Sequence, residues 1–140
     1  MAKLDQVQAA TAMAAALAKA SELGVQSSVA IVDAGRELLA FARQDGALLA
    51  SIEISQNKAY TACSMNMATV DIGPLTQPGQ PLYGLATSHG RPLITFAGGR
   101  ILKVGDEVVG AVGVAGGMVD QDDAAAAAAV ASLAGSGESS

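Results

Sequence analysis

Cysteine, histidine and aromatic residues are scarce in this chain of 140 residues. There is one cysteine, Cys63, and one histidine, His89, and tryptophan is absent. A single cysteine excludes an intramolecular disulfide, and one cysteine with one histidine is too few for the usual zinc site. We therefore predict no metal site and a location in the reducing cytoplasm.

The chain also has few of the features that bind nucleic acid or membranes. Aromatic residues make up 3% of it, too few for a base-stacking surface, and its net charge of −5 does not attract phosphate backbones. The longest apolar run, residues 108–119, carries four glycines and is too short to span a bilayer. We predict neither a nucleic-acid partner nor a membrane partner.

Small residues are abundant instead. The 30 alanines and 16 glycines make up about a third of the chain. So few large side chains bury little apolar area, and at about 25 cal/mol per Å² an isolated subunit is only marginally stable. We therefore predict a homo-oligomer.

The spacing of apolar residues and turns predicts one α+β domain over residues 1–134 and a disordered polar tail over 135–140. Residues 67–82 contain three of the four prolines, so we interpret this segment as mostly loop. The expected order is a helix over 4–23, strands over 26–32 and 37–43, a helix over 47–65, strands over 92–96, 100–104 and 108–115, and a helix over 123–133.

The last expected strand has one face without large side chains. Ala111, Gly113 and Ala115 lie along this face, while valines occupy the other. A face this flat admits either a closely packed helix or a planar ligand. Both interpretations stay open, and helix packing is the commoner of the two.

Lys58 is unusual because it lies on a small, apolar face of the second expected helix. None of its neighbours three and four positions away is a carboxylate, so no ion pair within the helix accounts for it. A lysine here either extends to solvent from the edge of the core or has a function. Possible partners from elsewhere are Asp33, Glu53 and Asp71.

The few aromatic side chains and the histidine are the other candidates. Tyr60, Tyr83 and Phe96 are available as walls for a planar, apolar ligand. His89 stands in an expected turn with Gly90 and Arg91, which suits either an ordering role in the loop or contact with a ligand.

Several segments, in the same order, resemble the GlcG/HbpS family over almost the whole chain. The resemblance implies a profilin-like sheet of five antiparallel strands flanked by helices, assembled into oligomers. It rests on residues 32–35, 45–47, 51–54, 57–62, 81–85, 96–99, 109–117 and 120–122.

The resemblance implies a small-molecule-binding protein, with haem as one ligand, because some members bind or degrade haem. Another planar or carboxylate ligand remains open. So do two alternatives: a cofactor-free lyase or isomerase, in which Lys58 acts as base or electrostatic stabiliser with Tyr83 or His89 as acid, and an accessory oligomer without a ligand.

We expect any pocket to lie between the second helix and the ends of the last strands. Lys58 would face two glycine pairs, Gly98-Gly99 and Gly116-Gly117, with Tyr83 above. Backbone N–H groups at such glycines suit a carboxylate, and an unpaired lysine would supply the opposite charge. Tyr60 and Phe96 complete the predicted ligand contacts.

Overall fold

The described part of the chain, residues 2–134 of a computed structural model, contains four α-helices and four strands. The helices are α1 (Gln6–Glu22), α2 (Ser51–Met65), α3 (Thr69–Ile72) and α4 (Val119–Ser132), and the strands are β1 (Ser28–Asp33), β2 (Leu38–Arg43), β3 (Gly99–Val104) and β4 (Glu107–Ala115). The tail predicted over 135–140 lies outside the described residues. No helix of the described part is long and apolar enough to cross a membrane.

The strands form one antiparallel sheet in the order β2-β1-β4-β3. The α+β class is confirmed, but the number of strands is four instead of five, because the strand predicted over 92–96 is absent from the described residues. In that segment the Ile94 N–H donates to the Thr61 hydroxyl of α2 at 2.9 Å, and the Leu93 N–H donates to the Ala86 carbonyl. Because a side chain of α2 and a carbonyl in the 3₁₀ turn Leu85–Thr87 accept from these donors, the donors are not free to pair with a neighbouring strand.

Helices cover both faces of the sheet. On one face α1 and α4 pack against each other and against valine and isoleucine side chains such as Val29 and Ile31. On the other face α2 packs through Ala59 and Ala62 against Ala30, Val32 and Ala111. The alternation along β1 therefore sends large side chains to one layer and smaller ones mainly to the other.

The flat face of β4 is covered by α2, which decides between the two interpretations of its small residues. A Cβ atom at Gly113 would lie 1.9 Å from the Ser55 carbonyl oxygen, so only glycine allows the helix backbone this close. Helix packing therefore occupies the face on which a planar ligand could have lain.

Two helices begin at different positions from those predicted. Helix α2 begins at Ser51, four residues after the predicted start, so that Leu48 and Leu49 lie exposed in the preceding turn. Helix α4 begins at Val119 instead of residue 123, with Met118 at its N-cap and the Gln121 side chain accepting from the Met118 N–H. Asp122 therefore lies inside the helix, in its first turn.

Candidate functional site

Lys58 is fully buried where α2 crosses the end of β4. Its side chain is 1% exposed. The ammonium group donates to the Val114 carbonyl at 2.8 Å and to Oδ2 of Asp122 at 3.0 Å. The second carboxylate oxygen of Asp122 accepts from the Gly117 N–H at 2.9 Å. This buried ion pair therefore has hydrogen-bond partners on both sides.

The prediction that Lys58 lacks a nearby charge partner is correct within its helix, but the three proposed partners are wrong. The carboxylate comes from Asp122, which is 64 positions further along the chain. The first turn of α4 carries it beyond the end of β4. No local spacing signals a pair so distant in sequence.

Burial shifts both members of the pair towards their neutral forms. Loss of hydration lowers the pKa of Lys58, and the neighbouring Asp122 opposes that shift. Loss of hydration raises the pKa of Asp122, while Lys58 and the Gly117 N–H oppose it. Desolvation outweighs the attraction in both cases.

A partly open cavity of about 140 Å³ lies beside the pair, between α2 and the segment after β4. Lys58, Gly116 and Gly117 line it, as the sequence predicts. Phe96 forms another wall, with its ring centre 5.2 Å from the Lys58 nitrogen. Further lining comes from Leu48, Ala50, Ser51, Ile54, Ala115, Val119 and Asp122.

The two glycine pairs bring the backbone close to Lys58, but the N–H groups of Gly99 and Gly117 already donate to other residues of the chain. A Cβ at Gly98 would lie 2.5 Å from the Lys58 nitrogen, and the Gly99 N–H donates to the Thr69 hydroxyl at 2.9 Å. At Gly116 a Cβ would lie 2.4 Å from the Gln26 carbonyl. Since the Gly117 N–H and Lys58 both bind Asp122, the protein's own carboxylate takes the position predicted for a ligand carboxylate.

A second polar group lies on the outer side of α2, where Tyr60 meets residues from two loops. The Tyr60 hydroxyl is 2.6 Å from Nε2 of His89 and accepts from Nη1 of Arg36 at 3.2 Å. The guanidinium carbon of Arg91 lies 4.2 Å from the centre of the Tyr60 ring, and that of Arg36 lies 4.9 Å from it. We call Arg36, Tyr60, His89 and Arg91 the arginine–tyrosine cluster.

The structure thus divides the predicted site residues between two places. Tyr60 and His89 belong to the arginine–tyrosine cluster. Six others lie together at the buried pair: Lys58, Phe96, Gly98, Gly99, Gly116 and Gly117. Tyr83 joins neither: it is 69% exposed and does not line the cavity. Lys58 is therefore not brought together with Tyr83 or His89, the acids suggested for it.

Arg36, Arg91 and Asp122 are the residues that sequence reasoning missed. Arg36 stands in the hairpin turn between β1 and β2, and only the pairing of these strands brings it to α2. Arg91 directly follows Gly90 in the turn that contains His89, and this position is a signal for it in the sequence.

The chain is similar to a known protein family and to individual known proteins. A sequence model of the family described as haem degrading protein HbpS-like matches residues 4–131. An uncharacterized 15.0 kDa protein in the dhaT-dhaS intergenic region of Citrobacter freundii is 44% identical over 115 residues, which are 81% of each chain.

Two further relatives carry more descriptive names. The corrinoid adenosyltransferase PduO of Salmonella typhimurium is 39% identical over 85% of this chain, but the match covers only 35% of that protein. A crystal structure described as a PduOC:heme complex superposes with a TM-score of 0.91 at 34% identity, covering 95% of this chain and 96% of that one.

Proposed function

This chain belongs to the HbpS-like family, and from that premise we propose that it is a small-molecule-binding protein whose ligand is haem. The observation that carries the proposal is the similarity to the PduOC:heme complex over nearly the full length of both chains. The adenosyltransferase named for PduO extends far beyond the matched third of that protein, so its activity forms no part of this proposal.

The arginine–tyrosine cluster offers side chains that suit haem iron. Iron in haem takes histidine, tyrosine, cysteine or methionine as an axial ligand. Tyr60 and His89 touch each other, and His89 is exposed. Cys63 is a poorer candidate because burial raises the pKa of its thiol and its Sγ already faces the carbonyls of Asp33 and Ala34.

The Lys58 cavity does not suit the whole cofactor. Pockets for drug-sized molecules measure roughly 300–1,000 Å³, and this cavity holds about 140 Å³. Its lysine is already neutralised by Asp122. We therefore assign haem to the surface that carries Tyr60 and His89, and assign the buried pair to holding α2 and α4 against the end of β4.

We also propose that the protein is a homo-oligomer of the cytoplasm. Three large apolar side chains that line the cavity, and the sequence neighbours of two of them, are 44% to 73% exposed: Leu48, Phe96 and Val119, with Leu49 and Met118. Apolar groups clustered in this way favour contact with a second subunit. Sedimentation at micromolar concentration tests this proposal, and a monomer would contradict it.

Titration of the purified protein with haemin, followed by the Soret band, tests haem binding. We expect saturable binding with one class of site. Tyr60→Phe and His89→Ala should each change the spectrum or weaken binding, because both side chains lie in the cluster. Tyr83→Phe is the matched control, since Tyr83 is exposed and stands apart from the cluster.

A spectrum that none of the three variants alters would mean nonspecific adsorption and would overturn the proposal. Equal effects of Tyr83→Phe and Tyr60→Phe would place the ligand elsewhere on the surface.

A further inference from the structure

Two guanidinium groups in the arginine–tyrosine cluster carry charge that the described part of the chain does not neutralise. Their carbons lie 4.2 and 4.9 Å from the same ring centre, so the two positive charges are no more than about 9 Å apart. Among residues 2–134, the carboxylates within 4.0 Å of a side-chain cation pair with Lys19, Lys58 and Arg100, not with Arg36 or Arg91.

Neutral groups hold both arginines in place. Nη1 of Arg36 donates to the hydroxyls of Tyr60 at 3.2 Å and Ser64 at 3.3 Å. Nε of Arg91 donates to the Asn57 side-chain oxygen at 2.7 Å. These contacts fix the two side chains but leave their charge available to an anion.

The backbone at Arg36 is itself unusual. Its φ is 70°, a left-handed backbone conformation that residues other than glycine rarely adopt. The turn is held by Asp33, whose Oδ1 accepts from the N–H groups of Gly35 and Glu37 and whose carbonyl accepts from the Arg36 N–H. Strain of this kind persists where the surroundings enforce it, and it is often found at ligand sites.

Arg100 shows what a neutralised arginine looks like in the same chain. It donates through Nε and Nη2 to the two oxygens of Asp123, at 2.8 and 2.6 Å. This two-bond geometry is the preferred way for a guanidinium to bind a carboxylate. Arg36 and Arg91 carry the same guanidinium group and lie against one tyrosine, but neither has such an acid among residues 2–134.

We propose that Arg36 and Arg91 form a carboxylate-binding clamp around Tyr60. The ligand carboxylate takes the role that Asp123 plays for Arg100, and the exposed His89 lies beside it. The carboxylate has two possible sources: a propionate of haem, which deepens the proposed function and in that form rests on it, or a free organic acid.

The first arm of the test uses succinate and no haem. Titration into the full chain is followed through the arginine Nε–Hε signals in an NMR spectrum, assigned with Arg36→Gln and Arg91→Gln. We expect saturable shifts for both clamp arginines, and each substitution should weaken succinate binding about 10-fold, as loss of a charged hydrogen bond does. Arg43→Gln is the matched control, because Arg43 is an exposed arginine at the end of β2.

The second arm compares haemin with haemin dimethyl ester, which lacks the propionate charges. If propionate is the source, haemin should bind about 10-fold more tightly than the ester, and Arg36→Gln or Arg91→Gln should remove that preference. If a free acid is the source, haemin and the ester should bind equally tightly, and Arg36→Gln or Arg91→Gln should weaken succinate binding without changing the ratio of the two haemin affinities.

The outcomes separate the two proposals. Shifts with succinate but no binding of haemin support the clamp and overturn the proposed function. Haemin binding with no succinate shifts, no preference over the ester and no effect of either substitution overturns the clamp and leaves the proposed function intact. Equal weakening by Arg43→Gln also overturns the clamp, because it would reflect overall charge only.

Discussion

Lys58 and Tyr60 are two positions apart on α2 and meet opposite surroundings. A spacing of two sends their side chains to nearly opposite sides of the helix. Lys58 points into the protein, is 1% exposed and binds Asp122. Tyr60 points outwards and contacts two arginines and a histidine. Among residues 2–134, no carboxylate forms an ion pair with those arginines.

The comparison shows how the same positive charge serves different purposes. A buried cation requires a counter-ion from its own chain, because the loss of hydration is large. A cation at the surface remains hydrated and needs none, so its charge stays available to a ligand. On these grounds we propose a structural role for Lys58 and a binding role for the two arginines of the cluster.

The strongest test of this contrast removes the buried counter-ion. Asp122→Asn leaves Lys58 without its opposite charge, and we expect the free energy of unfolding to fall by about 3–5 kcal/mol. Asp123→Asn is the matched control on the same helix, because its partner Arg100 is one-third exposed. It should lower the unfolding free energy by at most about 1 kcal/mol. Denaturation by urea measures both.

A double variant then isolates the charge effect. Lys58→Met combined with Asp122→Asn removes the stranded cation while the asparagine oxygen can still accept from the Gly117 N–H. We expect the double variant to be more stable than Asp122→Asn alone. If the losses of the single variants simply add, the two residues are not coupled and the contrast with the cluster fails.

The glycine beside Lys58 sharpens the comparison with an open turn. A Cβ at Gly98 would lie 2.6 Å from the Val114 carbonyl as well as close to the lysine, and its φ is 127°. Gly98→Ala should lower the unfolding free energy by about 3 kcal/mol, from backbone strain and crowding together. Gly105→Ala, at φ 61° with nothing within 4 Å, should lower it by about 1 kcal/mol from strain alone. Equal losses would contradict close packing around Lys58.

The buried pair should also give stability a distinctive pH dependence. In the unfolded chain Asp122 has the ordinary aspartate pKa of 3.8, and in the folded chain its pKa is higher. At pH values between these two, the folded chain keeps a proton that the unfolded chain releases, so the unfolding free energy falls as pH rises. In the unfolded chain Lys58 has the ordinary lysine pKa of 10.5, and in the folded chain its pKa is lower. At pH values between these two, the unfolded chain keeps a proton that the folded chain has released, so the unfolding free energy rises again with pH.

The measurement is the difference in unfolding free energy between the parent protein and the Lys58→Met, Asp122→Asn double variant, taken from pH 4 to pH 10. We expect a minimum between the two windows. A flat difference, or a maximum near neutral pH, would contradict the pKa directions assigned to the pair.

The sequence predicts the parts of this molecule that depend on local spacing. The apolar period locates α1, and alternation with turn residues locates β1, β2, β3 and β4. The segment over 92–96 has the composition of a strand, but its backbone donors are taken by Thr61 and Ala86. Composition cannot report which partner a donor finds.

The candidate site likewise contains some features that local sequence predicts and others that depend on the fold. Lys58 and one of the two predicted glycine pairs, Gly116-Gly117, line a cavity between α2 and the end of β4. The Asp122 partner and the convergence of Arg36, Tyr60 and Arg91 join segments far apart in sequence, and only the folded sheet brings them together.

The smallest expected effect on stability, and the one with opposite sign, concerns Arg36. At φ 70° a side chain strains the backbone by about 1 kcal/mol, and glycine removes that strain. Arg36→Gly should therefore raise the unfolding free energy by up to about 1 kcal/mol while weakening binding of succinate or haemin. Asn66→Gly is the control, because Asn66 also has a positive φ, of 54°, but asparagine tolerates it and the gain should be smaller.

Thermal and urea unfolding measure the first effect, and ligand titration measures the second. A residue that the fold would be better without, and that the ligand needs, has the signature of a binding residue. Removing Asp122 should lower stability, so the two variants move stability in opposite directions. If Arg36→Gly instead lowers the unfolding free energy, its contacts with Tyr60 and Ser64 stabilise the fold by more than the strain costs, and the cluster is then structural in the same sense as the buried pair.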